Sequence, residues 1–499
     1  MMTCMKKLLP LLALIGLFAS AEAQKITYEQ SFKVNYNIRS VGFPSEIVPN
    51  VADGFAYIEF WTQGAGRKFP NLYLQSYDKT WKEEWFLPIT KQSAAKMGSL
   101  IQLSRFDNNI GVIGYQYSPS AKRDQVKMQL FSPDGQPVGG MNIVSSYSKK
   151  EKKDFVDEFV FSSDKSKMLW LGHNPGSAAG KRVALASVWS GSGQKTWGRR
   201  LAIPHLVEDK YRIKQSAVDK RGHAYFLLVH EEMSNTDKDT LHRPIIVRYD
   251  HRENKYTEHQ LDFPNASIPE SHIYITEKGQ LAFLGMLSDS THSGFLNGAK
   301  RFEAALSWDK IVYQLFDIER ELKLNNQYTM EFPEEWLKRY KERQANFSEA
   351  EVVEKDGKLY WILEEAYSQM HNDRLQFLAK DVATIAIDQG SGEVAWASFF
   401  EKNQRDYGSK NLLSYCKGIS KGKLNFVYLN ERGAGGKVVC TSFDLGDGTT
   451  KHQNLANNDK ATYLFYPARS AMVTSDKMIL MGIGDPLGND YKLMEVTFE

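Results

Sequence analysis

Carboxylate and histidine side chains follow several apolar runs in the sequence. If the runs are buried strands, these residues lie where the strands end, and a binding or catalytic site could form there. Glu364 and Glu365 follow the apolar run 359–363, and His371 and Arg374 come in the next polar segment. Two carboxylates can cleave a glycosidic bond by acid and base catalysis. Adjacent strand residues point to opposite faces, so at most one of the two Glu residues can face a common site. We expect Glu365, His371 and Arg374 to bind a ligand; solvated loop positions are the simpler alternative.

His230 ends another apolar run, 224–229, and two glutamates follow it. The H-E-x-x-H spacing of zinc proteases is absent, because Ser234 stands in place of the second His. A metal site here needs ligands converging from other parts of the chain. We therefore take His230 as a candidate binding residue, with a solvated loop end as the alternative, and predict no metal site.

Other catalytic signatures are also absent from the sequence. There is no G-x-S-x-G nucleophile elbow, no Walker loop and no G-x-G-x-x-G between a strand and a helix. We therefore predict no catalytic residues and no cofactor. The 63 Lys and Arg nearly balance the 60 Asp and Glu, which gives no electrostatic footprint for a nucleic-acid partner.

Two segments, near 294–309 and 332–347, predict short helical inserts. In the second, Trp336 and Tyr340 are four residues apart and share a helical face, while Arg339 and Arg343 lie toward its end. These four side chains are candidates for contact with a partner or ligand. The alternative is that the helices pack their aromatic side chains onto the rest of the protein as lids.

The elements that must position these residues repeat along the chain. A tight turn followed by a strand that is apolar on successive residues occurs eight times, mostly about 55 to 65 residues apart. The turns are 53–54, 107–109, 164–166, 221–222, 278–279, 356–357, 421–422 and 476–477. Strands apolar on both faces must be buried between neighbouring sheets.

Each repeat holds about four strands in about 50 residues, which is typical of a β-propeller blade. We predict an all-β protein with a single propeller of eight four-stranded blades; seven blades are the alternative. The predicted blades are 43–90, 98–144, 155–204, 212–263, 268–332, 347–400, 410–455 and 462–499. The last has no room for a fourth strand, so residues 26–34 are predicted to supply it and to close the ring.

Strand order also decides which loops share a face. The loops between second and third strands and the blade connections form one face, which we call the long-loop face. These loops are long and polar, whereas the turns of the opposite face are tight. Binding residues tend to lie on long loops held by a rigid scaffold.

The segment 385–396, I-A-I-D-Q-G-S-G-E-V-A-W, resembles the tryptophan-bearing repeat of quinoprotein-like propellers, and 183–197 is a looser copy that ends at Trp197. The resemblance implies an eight-bladed fold. Members of that family include quinone-dependent dehydrogenases and non-catalytic periplasmic scaffolds. The adjacent cysteine pair that caps the quinone in many of the enzymes is absent here, so the resemblance implies fold more than activity.

Residues 1–23 have the pattern of a signal peptide. Lys6 and Lys7 precede the apolar run 8–19, and Ala21-Glu22-Ala23 matches a cleavage site. We predict a mature propeller of residues 24–499, secreted or periplasmic, with no transmembrane segment. Cys416 and Cys440 would normally pair after export. The repeat instead places both opposite one residue of the strand between them, too far apart for a disulfide, so we predict two buried free thiols.

The loop asymmetry and the missing catalytic motifs favour an exported, non-catalytic binding or scaffold protein. Its predicted partner is a protein or a cell-envelope component engaged through the long-loop face. The first alternative is a glycan-acting hydrolase or lyase with carboxylates at the channel mouth. The second is a quinone- or metal-dependent oxidoreductase, for which fold analogy is the only ground.

Overall fold

The computed structural model describes most of the chain in nineteen stretches. These are residues 25–33, 47–50, 54–61, 71–89, 99–148, 156–173, 184–206, 211–233, 240–261, 263, 266–288, 310–332, 336, 347–371, 374–407, 413–430, 437–457, 464–483 and 490–498. All structural statements below concern these residues. Among them, no helix is long and apolar enough to cross a membrane.

The strands of the first four blades follow one another along the chain. After β1 (Lys25–Lys33), blade 1 holds β2 (Val48–Pro49), β3 (Phe55–Trp61), β4 (Asn71–Tyr77) and β5 (Glu83–Pro88). Blade 2 holds β6 (Ser99–Phe106), β7 (Asn109–Ser118), β8 (Arg123–Phe131) and β9 (Pro137–Tyr147). Blade 3 holds β10 (Val156–Phe161), β11 (Lys167–His173), β12 (Ala184–Ser190) and β13 (Lys195–Leu201). Blade 4 holds β14 (Tyr211–Val218), β15 (Ala224–Met233), β16 (Thr240–Asp250) and β17 (Lys255–Gln260).

The remaining blades continue this order. Blade 5 holds β18 (Ser267–Ile275), β19 (Gln280–Ser288), β20 (Lys310–Asp317) and β21 (Lys323–Glu331). Blade 6 holds β22 (Phe347–Lys355), β23 (Lys358–His371), β24 (Arg374–Asp388), β25 (Val394–Phe400) and the short β26 (Gln404–Asp406). Blade 7 holds β27 (Cys416–Ser420), β28 (Lys423–Leu429), β29 (Lys437–Asp444) and β30 (Thr450–Asn457). Blade 8 holds β31 (Leu464–Phe465), β32 (Ala471–Met472), β33 (Lys477–Ile483) and β34 (Asp490–Thr497), with a 3-10 turn at Pro467–Arg469.

The first four strands of each of blades 1 to 7 pair antiparallel in chain order, while β26 also pairs with β24, and both β31 and β32 of blade 8 pair with β33. The eight sheets confirm the predicted eight-bladed propeller. The seven-blade alternative is wrong. The second strands are apolar on both faces, as in β15, where residues 224–229 are all buried. The outer strands alternate, as in β21, where exposed and half-buried residues follow one another. This gradient is expected when blades pack face to face and only their outer edges meet water.

Eight clusters of buried side chains fill the spaces between consecutive blades. The eighth joins the two ends of the series, since Ile47 and Phe55 of blade 1 pack with Ile479 and Met481 of blade 8. A backbone bond from Ile47 to the carbonyl of Arg469, 3.0 Å long, crosses the same junction. The blades therefore form one closed ring.

The predicted closing strand is also confirmed. β1 pairs antiparallel with β34, from Lys25 opposite Thr497 to Lys33 opposite Asp490. It occupies the outer position of blade 8, beside the last strand of the chain. The two ends of the chain are thereby held in one sheet, and the edge of β34 is covered.

Tryptophans on outer strands link neighbouring blades. The indole NH of Trp396 donates to the carbonyl of Leu445 at 3.1 Å, and that of Trp197 to the carbonyl of Gly222 at 2.7 Å. Both are the tryptophans that the family resemblance singled out. Trp85 makes the same kind of bond to the carbonyl of Pro133 at 2.8 Å, although its repeat lacks the sequence pattern.

The cysteines lie as predicted. Cys416 and Cys440 are both opposite Val427, on strands two positions apart in blade 7. Neither cysteine takes part in a disulfide, and both are buried. The prediction of two buried free thiols is confirmed.

Candidate binding site

A cavity of about 780 Å³ opens on the long-loop face between blades 6, 7 and 8. Its walls include the starts of β22, β24 and β27 and the end of β23. These strand ends all lie on the long-loop face. Its apolar wall includes Tyr367, Phe377, Leu378, Leu413, Tyr415 and Met472. Its polar groups include Glu351, Glu364, Ser368, Ser414, Lys417 and Ser470. A mostly apolar cavity with a few converging polar groups is typical of a binding site.

One wall of the cavity is an unusually long hairpin. β23 has 14 residues and β24 has 15, whereas their partners β22 and β25 end earlier. The pairing of β23 with β24 continues to His371 opposite Arg374. We call residues 366–371 and 374–379 the hairpin arm. The short β26 pairs with its residues 377–379 and covers that edge.

A buried ion pair forms the floor. The amine of Lys402 contacts Oε1 of Glu364 and donates to Oε1 of Gln404 at 2.8 Å. The Lys402 side chain has no exposed surface. Burial lowers the pKa of Lys402, while the charge of Glu364 and, more weakly, those of Asp381 and Glu365 oppose the change. Glu364 thus compensates a charge that would otherwise be costly to bury.

Ser414 connects this ion pair to the cavity. Its hydroxyl donates to Oε2 of Glu364 at 2.6 Å, and its backbone NH donates to Oε1 of Gln404 at 2.7 Å. Gln404 in turn donates to the carbonyl of Leu429 at 2.7 Å. The φ of Ser414 is +81°, a conformation that L-residues seldom adopt and that often marks a functional or tightly constrained position. The floor is therefore a fixed network joining blades 6 and 7.

A second carboxylate lies on the same wall. Glu351 contacts the amine of Lys417 and accepts a bond of 2.7 Å from the hydroxyl of Tyr415. It is opposite Ile362, and Glu364 is two residues further along β23, so Glu351 and Glu364 share a face. Such diagonal neighbours have backbone positions roughly 7–8 Å apart.

The partners of these carboxylates restrict what they can do. Glycosidic cleavage needs one protonated carboxyl as general acid. Glu351 and Glu364 each contact a lysine amine and accept a hydrogen bond from a hydroxyl group, so donors already occupy their carboxylate oxygens. The arrangement is better suited to orienting polar groups of a ligand than to donating a proton.

The predicted residues of blade 6 lie in two places. Glu365 is buried beside the floor, at 5% exposure, in an irregular stretch of the β23–β24 pairing. His371 and Arg374 are exposed, opposite each other at the end of the hairpin arm. The ring of His371 lies 6.1 Å from that of Tyr407, which is 44% exposed.

The same end of the arm carries exposed apolar side chains that the sequence did not single out. Met370 is 67% exposed and Leu375 is 45% exposed. They are opposite each other in the hairpin, so they lie side by side on one face, which we call the tip patch. His371 and Arg374 alternate with them and take the other face.

Other predicted residues lie elsewhere. His230 belongs to blade 4, where its ring stacks on Tyr211 at 4.7 Å, so it does not join the cavity. Trp336 is 3% exposed and packs against Phe332 and Phe399. This position agrees with the packing alternative for that insert. Arg339, Tyr340, Arg343 and the insert near 294–309 lie outside the described residues.

Sequence reasoning missed most of the cavity. Lys402, Ser414 and Lys417 follow or begin short strands in two different blades, and no motif connects them with Glu351. One available signal was the length of the apolar and polar alternation through 358–388. The two strands have 14 and 15 residues, against 7 to 11 in the second and third strands of the other blades, and this extra length marks the hairpin arm.

Comparisons with known proteins give only distant likenesses. No family model and no curated protein matches the chain. Among solved structures, the WD40 domain of SCAP from fission yeast is 9% identical, with a TM-score of 0.39, over 94% of this chain and 98% of its own. The β-propeller domain of the Trilobed protease from Pyrococcus furiosus is 9% identical, with a TM-score of 0.36, over 86% and 98%. A Synechocystis apocarotenoid oxygenase is 10% identical, with a TM-score of 0.33, over 95% and 94%. Likenesses this weak carry no argument about what this chain binds.

Proposed function

We propose that the mature chain is an exported, non-catalytic binding protein that engages a protein partner of the cell envelope or its surroundings. The contact surface is the long-loop face at blades 6 to 8. The observation that carries the proposal is the hairpin arm, which forms a wall of the cavity and ends in exposed apolar side chains.

The chemistry of this surface favours a protein as partner. Met370 and Leu375 present apolar area that a partner can cover, and exposed apolar patches often mark interaction sites. Arg374 and Tyr407 are residue types that are enriched in protein interfaces. The cavity beside the arm is large enough to receive a side chain or a short segment of the partner.

Substitution of the tip patch tests this proposal. Met370→Asp with Leu375→Asp places charges in the contact while leaving the buried blades unchanged. We expect the immobilised mature chain to capture a defined protein from envelope extracts of its native host, and the double variant to retain less than about a tenth of it, since apolar anchors dominate interface energies.

The matched control is Ile143→Asp with Val156→Asp, because both side chains are 49% exposed and lie in blades 2 and 3. The control should capture as much as the unmodified chain. Equal losses in both double variants, or equal capture by all three proteins, would contradict a contact at the tip patch.

Export is tested separately. Cell fractionation followed by N-terminal sequencing should find the protein outside the cytoplasm, with Gln24 as its first residue. Recovery of the chain from the cytoplasm with residues 1–23 attached would refute export.

A glycan-acting hydrolase or lyase is the second candidate, favoured by the shared face of Glu351 and Glu364. It predicts release of new reducing ends or unsaturated products from envelope glycans, abolished by Glu351→Gln. The same product yield from the variant and the unmodified chain would exclude this role for Glu351.

A further inference from the structure

A group of metal-ligating side chains lies on the face opposite the cavity. His223 is in the turn that leads into β15, and Asp250 and His251 are where β16 ends, so two turns of blade 4 bring them together. One possible ligand atom from each lies within 4.8 Å of the other two. The imidazole rings are 5.0 Å apart, and Nδ1 of His223 is 3.3 Å from Oδ1 of Asp250.

Each histidine has a buried nitrogen atom that makes no hydrogen bond within the described residues. These atoms are Nδ1 of His223 and Nδ1 of His251. His223 is only 4% exposed, so water does not freely solvate its ring. Buried polar atoms without partners are rare in folded proteins, and an ion is one of the explanations for them.

Packing holds the two rings in place. The ring of His223 is almost fully buried. Trp197 stacks on the ring of His251 at 6.1 Å and restricts its orientation.

The carboxylate is oriented by its own contacts. Oδ2 of Asp250 accepts a bond of 2.8 Å from Arg248, while Oδ1 accepts backbone NH groups of Arg252 and Glu253 and faces His223. The positive charges of Arg248 and Arg252 oppose a cation. The negative charge of Asp219, which also acts on His223, offsets part of this opposition.

We propose that His223, Asp250 and His251 form a binding site for a divalent transition metal ion, with zinc as the best fit. Two imidazole nitrogens and one carboxylate oxygen are a common zinc ligand set, and bond lengths near 2.0–2.1 Å require ligand atoms about 3.3 Å apart. The ligand atoms lie within 4.8 Å of one another, so binding of an ion requires Asp250 and His251, the two partly exposed side chains, to move toward it. With three protein ligands, a fourth position stays open for water or a small anion.

The site joins the two turns of blade 4. The ion would tie the first-to-second turn to the third-to-fourth turn, and thereby hold the edge of the blade on this face. Sequence motifs do not show it, because His223 and the Asp250-His251 pair are separated by the whole β15–β16 hairpin.

The experiment uses the tag-free mature chain after dialysis against a chelator. Titration calorimetry with Zn²⁺ should give one ion per chain, and Co²⁺ should give the visible absorption of a tetrahedral site. His251→Gln and Asp250→Asn should each weaken zinc binding at least tenfold. His205→Gln, which alters a histidine at a His–Glu pair of the same blade, should bind as the unmodified chain does.

The unfolding temperature measured without metal shows whether each variant is folded. The unmodified chain should unfold at a higher temperature with zinc than without it, and the His251→Gln variant should not. Absence of zinc binding by the unmodified chain, or equal affinity in the His251→Gln and His205→Gln variants, would overturn the proposal.

Discussion

Lys402 is the charged residue on which the cavity floor depends. Its amine has no exposed surface and relies on Glu364 and Gln404 for compensation. Buried ion pairs often add little net stability, yet removing one partner leaves an uncompensated charge inside the protein. The network therefore fixes the geometry of the floor more than it strengthens the fold.

Removal of that amine tests this role. Lys402→Met should lower the free energy of unfolding by about 3–5 kcal/mol, because Glu364 is left buried without its cation. Lys402→Met combined with Glu364→Leu should recover part of the loss. Lys255→Met, which breaks an exposed pair with Glu321, is the control and should change little. Urea titrations measure all four proteins, and a loss no larger than that of the control would contradict the role.

His272 gives the protein a defined sensitivity to acid. Burial lowers its pKa to about 4. The unfolded chain therefore binds more protons than the folded chain between pH 6.5 and 4, and stability falls as the pH falls through this window. The loss attributable to His272 amounts to about 2–3 kcal/mol between pH 7.5 and 4.5.

The variant that tests this contribution is His272→Gln. Urea titrations at pH 7.5 and 4.5 should show that it loses less stability on acidification than the unmodified chain does. Identical acid sensitivity in the His272→Gln variant would disprove the contribution.

At the scale of elements, blades are joined by an outer-strand tryptophan and a glycine turn of the next blade. Trp396 rests on Gly448, whose φ is +75°. A Cβ at Gly448 would lie 2.7 Å from the indole ring, closer than atoms can approach. The glycine is required both for the turn and for the contact between the blades.

Two glycine substitutions separate these requirements. Gly448→Ala should destabilise through backbone strain and through the clash with Trp396, whereas Gly422→Ala has a similar φ of +71° but meets nothing within 4 Å. We expect Gly448→Ala to cost about 1–3 kcal/mol more than Gly422→Ala in urea titrations, the usual range for overpacking. Equal costs would show that the tryptophan adjusts freely.

The whole molecule depends on the strand that completes its last blade. β1 covers the edge of β34, and the space between blades 8 and 1 is filled by the last core cluster. A ring without this strand has an open sheet edge, which invites aggregation.

Deletion of residues 24–33 tests ring closure. The shortened chain should unfold at a lower temperature and form larger species in size-exclusion chromatography. A circular permutant that joins Glu499 to Gln24 through a Gly/Ser linker and opens within 149–155 keeps β1 beside β34, and it should stay monodisperse. A deletion variant as stable as the unmodified chain would show that closure lies elsewhere.

Particular residues show how much of the fold and of the candidate site could be predicted from the sequence. The repeated tight turn followed by an apolar strand predicted the eight blades. This was possible because burial between two blades requires apolar residues on both faces of a strand, and that pattern is visible in the sequence. The shortness of the last repeat predicted the closing strand. The free thiols followed from strand order alone. Trp336 shows the opposite case: its helical spacing fitted both a lid and a partner contact, and only its 3% exposure separates them.

The sequence by itself determined the repeat, the number of blades and the order of the strands, since each depends on neighbours along the chain. Only the tertiary structure decided that Glu364 meets Lys402 and Ser414, and that His223 meets His251. Those contacts join residues from different blades or different turns, and their geometry is set by the packing of whole sheets around the ring. Local sequence patterns therefore cannot predict these contacts.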